Sequence, residues 1–261
     1  MGPRRRDGSG SIIAAYTSHN DAMWNRLVPV LLIGWLGLGM AELSQSSPES
    51  HPGRVYHIVF LKRDPERKPI SKEQGDQIQA AHTANIHAMA ERGVLVAAGP
   101  FEDTPPVISG VFFFATSSIA EARRIAAADP NVAEHRNTVQ VLAWRGPTGI
   151  GDEYKRLHTE KPETPEGMGV HPFIILRRSG KQFDQTVMQM HAAYVASLRS
   201  DGKVVANGAV EDDSSAFEIL IFSRIADTEA ASLAAADPAI SNGTLSVEAH
   251  RWWCSANVFP G

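Results

Sequence analysis

The pattern AHTANIHAMAERGVLVAAGP at residues 81–100 returns as MHAAYVASLRSDGKVVANGA at residues 190–209. His82 and His191, Gly93 and Gly202, and Gly99 and Gly208 are each 109 residues apart. Pro130 and Pro238, each closing an AAADP run, and Trp144 and Trp252 are 108 apart. A nearly fixed period of this kind means that one supersecondary unit is built twice. The 261 residues are therefore to be explained as two small cores rather than one large one.

Each copy has the order β-α-β-β-α-β. In the first, VYHIVFLK (55–62) is a strand by its β-branched and aromatic content. Ser71 and Gln74 form a capping box that opens a helix ending before Gly93. VLVAAG (94–99) is a second strand, and after Thr104-Pro105-Pro106 the run VISGVFFFAT (107–116) is a third. Ser118 with Glu121 starts another helix, which Asp129-Pro130 stops, and TVQVLAW (138–144) is the last strand. The second copy repeats this as HPFIILRR, a helix over roughly 182–201, KVVANG, AFEILIFS, a helix over roughly 228–236, and TLSVEAHRWW. Right-handed crossovers then give an α+β fold of two ferredoxin-like βαββαβ modules, each with four antiparallel strands and both helices on one face. The other face is apolar and bare, and a unit of about 90 residues cannot leave it in water. The two modules are therefore expected to pack sheet to sheet within one chain as a pseudo-dimeric α/β barrel, with a linker long enough to let them meet.

Outside the modules, Arg26 precedes an apolar stretch from Leu27 to Met40, and Gly39-Met40-Ala41 offers small residues at a cleavage point. This is the three-part order of a secretory signal. Its fourteen residues span about 21 Å as a helix, short of the about 30 Å of a hydrocarbon core. Residues 1–41 are expected to be a signal peptide, with 1–22 an overcalled extension if Met23 is the initiator. The mature protein is then periplasmic or secreted and free of the membrane, with an N-terminal membrane anchor as the alternative. Residues 42–53 read as a polar leader, 54–145 as module 1, 146–169 as a linker rich in Gly, Pro and charge, and 170–261 as module 2. A formal charge of −4, with no basic run beyond Arg4-Arg5-Arg6, argues against nucleic acid as a partner. With Cys254 alone, no internal disulfide, zinc knuckle or redox pair can form.

The succession of a helix histidine, a glycine eleven residues on, Gly-Pro and a later Asp-Pro resembles the YCII (YciI-like) family. The matching positions are His82, Gly93, Gly99-Pro100 and Asp129-Pro130, then His191, Gly202, Gly208 and Asp237-Pro238. The resemblance covers roughly 54–145 and 170–253. It implies a dimeric α/β barrel of ferredoxin-like modules and a His-Asp site made by His82 with Asp129 and by His191 with Asp237. It further implies substrate contacts at Gly99, Pro100 and Gly208, and no cofactor; one related member is a dehydrochlorinase. The second copy departs from the pattern at Ala209, where proline is expected.

The residues also have a reading of their own. Ile78, His82, Ile86 and Met89 share one helix face, as do Val187, His191, Val195 and Leu198, so each imidazole is turned towards the sheet. A carboxylate beside such a ring orients it and raises the basicity of its other nitrogen, which a general base requires. A satisfied core histidine is the alternative, and Asp129 and Asp237 have one too, since Asp before Pro often punctuates a helix end. His82 sits in mid-helix whereas Asp129 ends its own, so spacing does not join them. His87, five residues after His82, points elsewhere and makes no i,i+4 metal pair with it. Trp144 and Trp252 read as core residues at the barrel edge, and His250, which replaces Leu142, as pocket lining or surface. Lys62-Arg63 and Arg177-Arg178 read as solvated strand ends or as an anion-capturing mouth. Two functions follow. One is a cofactor-independent lyase or isomerase that moves a proton on a small molecule by general acid–base catalysis. The other is a non-catalytic small-ligand-binding or structural module.

Overall fold

The computed structural model describes residues 53–103, 107–165, 167–212 and 215–260, all within one compact unit, Ser50–Gly261. The expected signal peptide at 1–41, nearly all of the polar leader, and Thr104-Pro105-Pro106 lie outside the described residues. Among the described residues no helix is long and apolar enough to cross a membrane.

The first half runs β1 (Arg54–Arg63), α1 (Lys72–Glu91), β2 (Leu95–Pro100), β3 (Ile108–Phe114), α2 (Ile119–Ala127), α3 (Pro130–Ala133) and β4 (Asn137–Gly146). After α4 (Asp152–Glu160), the same order returns as β5 (Met168–Arg178), α5 (Gln185–Ser200), β6 (Val204–Val210), β7 (Ala216–Phe222), α6 (Asp227–Ala235), α7 (Pro238–Ser241) and β8 (Leu245–Ser255). Ser71 closes the capping box of α1: its hydroxyl accepts from the Gln74 amide while the Gln74 side chain accepts from the Ser71 amide. Ser118 caps α2 through the Glu121 amide. Asp129 and Asp237 do more than stop a helix. Each accepts a backbone N–H two residues on and, with proline in the first helical position, starts the short helix α3 or α7.

All eight strands of the described residues belong to one antiparallel sheet, in the order β2-β3-β1-β4-β6-β7-β5-β8. The halves join edge to edge. At one seam Trp144 and Arg145 of β4 pair with Val210 and Ala209 of β6, and the Glu211 amide donates to Ala143 O at 2.8 Å. At the other, Phe101 pairs with Trp252 of β8, and the Glu102 amide donates to Arg251 O at 2.9 Å. These contacts close the sheet into a barrel and turn the two bare faces inward. The interior cluster holds Tyr56, Phe60, Phe113 and Trp144 from one half and Phe173, Ile219, Ile221 and Trp252 from the other. Phe113 stacks on Trp252 at 5.2 Å and meets Trp144 edge-on at 5.6 Å, as aromatic rings prefer. The barrel interior is thus a packed core. Alternate strand residues such as Phe112, Phe114, Leu220 and Phe222 face outward and form two further clusters beneath the helices.

Two regions singled out in the sequence gain detail here. The segment 146–169 is not wholly irregular: it carries α4, and Ile150 is buried in the barrel core beside Val258 and Phe259. The Gly151 amide donates to Val258 O at 2.7 Å, and Tyr154 packs on the same cluster, so the linker is fastened to the C-terminal segment. Gly99 and Gly208, expected to touch substrate, lie at the seams. A Cβ on Gly99 would stand 2.1 Å from Trp253 O, and one on Gly208 would stand 1.9 Å from Arg145 O. The missing side chains let strands from opposite halves approach, a recognised use of glycine inside a strand. Pro100 ends β2, paired with Gly110 and exposed.

Candidate functional site

The short helix α3 settles what spacing left open. The chain turns at Pro130, α3 packs against α1, and Asp129 arrives beside the middle of that helix. His82 Nδ1 lies 2.9 and 2.8 Å from the two Asp129 carboxylate oxygens. Asp129 is fully buried, and its carboxylate also accepts from Asn85 Nδ2 at 3.0 Å and from the Asn131 amide at 3.0 Å. The His82 ring lies against Phe112, centroids 5.9 Å apart. An acceptor at Nδ1 selects the tautomer with its proton there and leaves the Nε2 lone pair available. Among the described residues His82 Nε2 makes no hydrogen bond.

The second half keeps this pair and adds to it. His191 Nδ1 lies 2.7 Å from Asp237 Oδ2, while its Nε2 lies 2.8 Å from Glu218 Oε2. Asn207 Nδ2 donates to Glu218 Oε1 at 2.7 Å, and the Ala239 amide donates to Asp237 Oδ1 at 2.8 Å. Burial works against charge on this ring, but its hydrogen bonds to Asp237 and Glu218 outweigh it and push the imidazole up to about 9. His191 is therefore a cation at neutral pH with both nitrogens engaged, and it has no lone pair to offer. Residue spacing missed Glu218, although an acid within the apolar run AFEILIF, on the strand face beneath α5, was the visible sign that something buried required it.

His250 joins neither pair. It sits at the β8–β2 seam, 2.5 Å from Asp103 and 2.9 Å from Glu248. Burial opposes its charge, and the bonds to Asp103 and Glu248 raise it to about 9. Glu248 in turn is held down to about 2, first by His250 and then by Arg177, its second partner. Arg178 lies over the rings of Phe183 and Phe217. These strand-end cations are thus engaged within the second half. Cys254 is buried in the barrel core, where desolvation pushes its thiol up. His87 faces the outer side of α1, where it lines a shallow open depression with Asp76, Gln79 and Thr83 that does not include His82. Among the described residues no group of three His, Cys, Asp or Glu side chains is arranged to hold a metal ion.

The two raised histidines give a pH dependence. An imidazole whose folded value lies above its ordinary 6.5 contributes stability that is complete below 6.5 and disappears as pH rises through the folded value, here about 9. Urea midpoints are therefore expected to fall between pH 6.5 and pH 9, with the unfolding free energy lower by at least about 1 kcal/mol for the pair. A midpoint that stays level or rises over that interval would show that these rings are not charged in the folded state.

The architecture and the buried pairs define a class: a pseudo-dimeric α/β barrel with ferredoxin-like halves, each holding a His-Asp pair beneath its outer helices. A family model described as YCII-related domain matches residues 56–145. Over those residues the chain is similar to that family. Similar solved structures include a candidate chlorite dismutase, 12% identical over 77% of this chain and 94% of that chain, with a TM-score of 0.46. Another is a candidate monooxygenase from Lactobacillus acidophilus NCFM, 12% identical over 79% of this chain and 98% of that chain, with a TM-score of 0.43. No curated protein matches the chain.

Proposed function

We propose that the protein is a cofactor-independent small-molecule enzyme of the lyase or isomerase type, in which His82 moves a proton and Asp129 supports it. The observation that carries this reading is the contrast between the halves. His82 has Nδ1 anchored on a buried carboxylate and Nε2 without a partner among the described residues, whereas His191 has both nitrogens bound. In the proposed step Nε2 takes a proton from the substrate, and the imidazolium that forms is stabilised by Asp129 across the Nδ1 bond. Asn85 and the Asn131 amide fix the carboxylate, so the ring is not free to turn. Residues 170–261 are read as a second YCII-like module, on their element order and their own His-Asp pair. Its role is structural: it supplies the other wall of the barrel.

His82→Gln removes the basic nitrogen from a group that contributes about 10²- to 10⁴-fold to rate. We expect that loss in deuterium uptake or elimination, followed by NMR in D₂O with a panel of small keto, hydroxy and halogenated acids. A His82→Gln protein that matched the wild type per folded molecule would remove His82 from the mechanism.

A further inference from the structure

The halves differ at the point where a ligand of His82 would sit. Sheet register aligns Gly110, which pairs with Leu61 and Pro100, with Glu218, which pairs with Leu176 and Ala209. In the same way Ala98, opposite Phe112, occupies the place of Asn207, opposite Leu220. The first half thus keeps the imidazole and its aspartate but lacks both the carboxylate on Nε2 and the amide that steadies that carboxylate. Its ring is also the more open of the two, 12% exposed against 4% for His191.

We propose that His82 Nε2 receives an acidic oxygen of a small ligand, such as a carboxylic acid, an enol or a phenol, in the position that Glu218 fills in the second half. This rests on reading His82 as the base and names the atom on which it acts. For an enol or a phenol the O–H bond breaks, its proton forms the Nε2–H bond, and the electron pair stays on oxygen; a carboxylate, already ionised, pairs with an imidazolium whose added proton comes from the solvent. The resulting oxyanion remains hydrogen-bonded to the imidazolium, whose charge Asp129 offsets. Glu218 on His191 is a permanent copy of that ion pair, with the oxyanion supplied by the chain itself.

The test uses acetate as the probe on the full chain, with chloride at equal ionic strength as the control. The ring resonances of His82, assigned by their absence in His82→Gln, should shift saturably with acetate and should ignore chloride; the ring of His191 should not respond. A His82 ring that ignores acetate, or that moves equally with chloride, overturns the proposal. Glu218→Ala provides a second measurement, since it vacates the same position in the other half. Acetate should raise the Tm of this variant more than that of the wild type, and equal rises would overturn the equivalence of the two positions. If the variant does not fold, the wild-type titration decides alone. The two readings fail separately: loss of turnover in His82→Gln with no acetate response keeps the base and removes the oxygen site, and the opposite pattern keeps the site and removes the base.

Discussion

Replacing His191 with alanine is expected to cost about 3–5 kcal/mol of folding stability at neutral pH. The ring is 3% exposed and holds two carboxylates that are themselves nearly buried, Asp237 at 2% and Glu218 at 8%. Alanine removes the only cation between them, and two negative charges are then left facing each other in a site with little water. Breaking a buried ion pair from one side is more damaging than the pair's net contribution, because the remaining charge stays desolvated. His82→Ala provides the comparison. There a single carboxylate is left, and it keeps its bonds from Asn85 and the Asn131 amide, so the loss should be nearer the about 1–3 kcal/mol of a broken buried hydrogen bond. Urea denaturation of both variants at pH 7 measures the difference. Equal losses would mean that Glu218 is neutral and that the second half holds no imidazolium.

Gly208→Ala should be similarly severe for a steric reason. Its Cβ would stand 1.9 Å from Arg145 O and 2.9 Å from Trp144 Nε1, the group that donates to Gly208 O at 2.8 Å. The obstacle is backbone, which no rotamer change can relieve, so the β4–β6 seam must open. A loss of about 3 kcal/mol, the upper end of ordinary overpacking, is expected. Gly75→Ala, in the first turns of α1, is the control: its Cβ meets only Ile70 Cδ1 at 3.7 Å, and alanine favours a helix by up to about 1 kcal/mol over glycine. Thermal melts of the two variants should therefore move in opposite directions. A Gly208→Ala protein as stable as the wild type would show that the seam yields without cost.

Much of the architecture was legible because it is local. Apolar alternation gave the strands, Ser71 and Ser118 gave the helix starts, and the period gave two modules. Physical reasons account for what was missed. Asp129 looked like punctuation because a four-residue helix leaves almost no periodic trace, yet α3 is what carries its carboxylate to His82. The family resemblance placed Gly99 and Gly208 beside a substrate, and a glycine in a strand marks a close approach without saying whether another backbone or a bound molecule makes it. The helix in the linker has few apolar residues, and Ile150 is held by Val258 and Phe259, about a hundred positions further along the chain. Nothing nearby in sequence announces such a contact. Glu218 was hidden by the alignment itself, since a search for shared residues passes over a position where the two copies disagree.

That disagreement is possible because the barrel is one chain. When two identical subunits meet about a two-fold axis, every side chain occurs twice, and an acid placed beside one imidazole is placed beside both. Here the two walls are written separately, so Glu218 can neutralise its histidine while Gly110 leaves the other alone. The linker that joins the halves therefore does more than raise their local concentration. It lets the two walls differ, with a change made in one never imposed on the other.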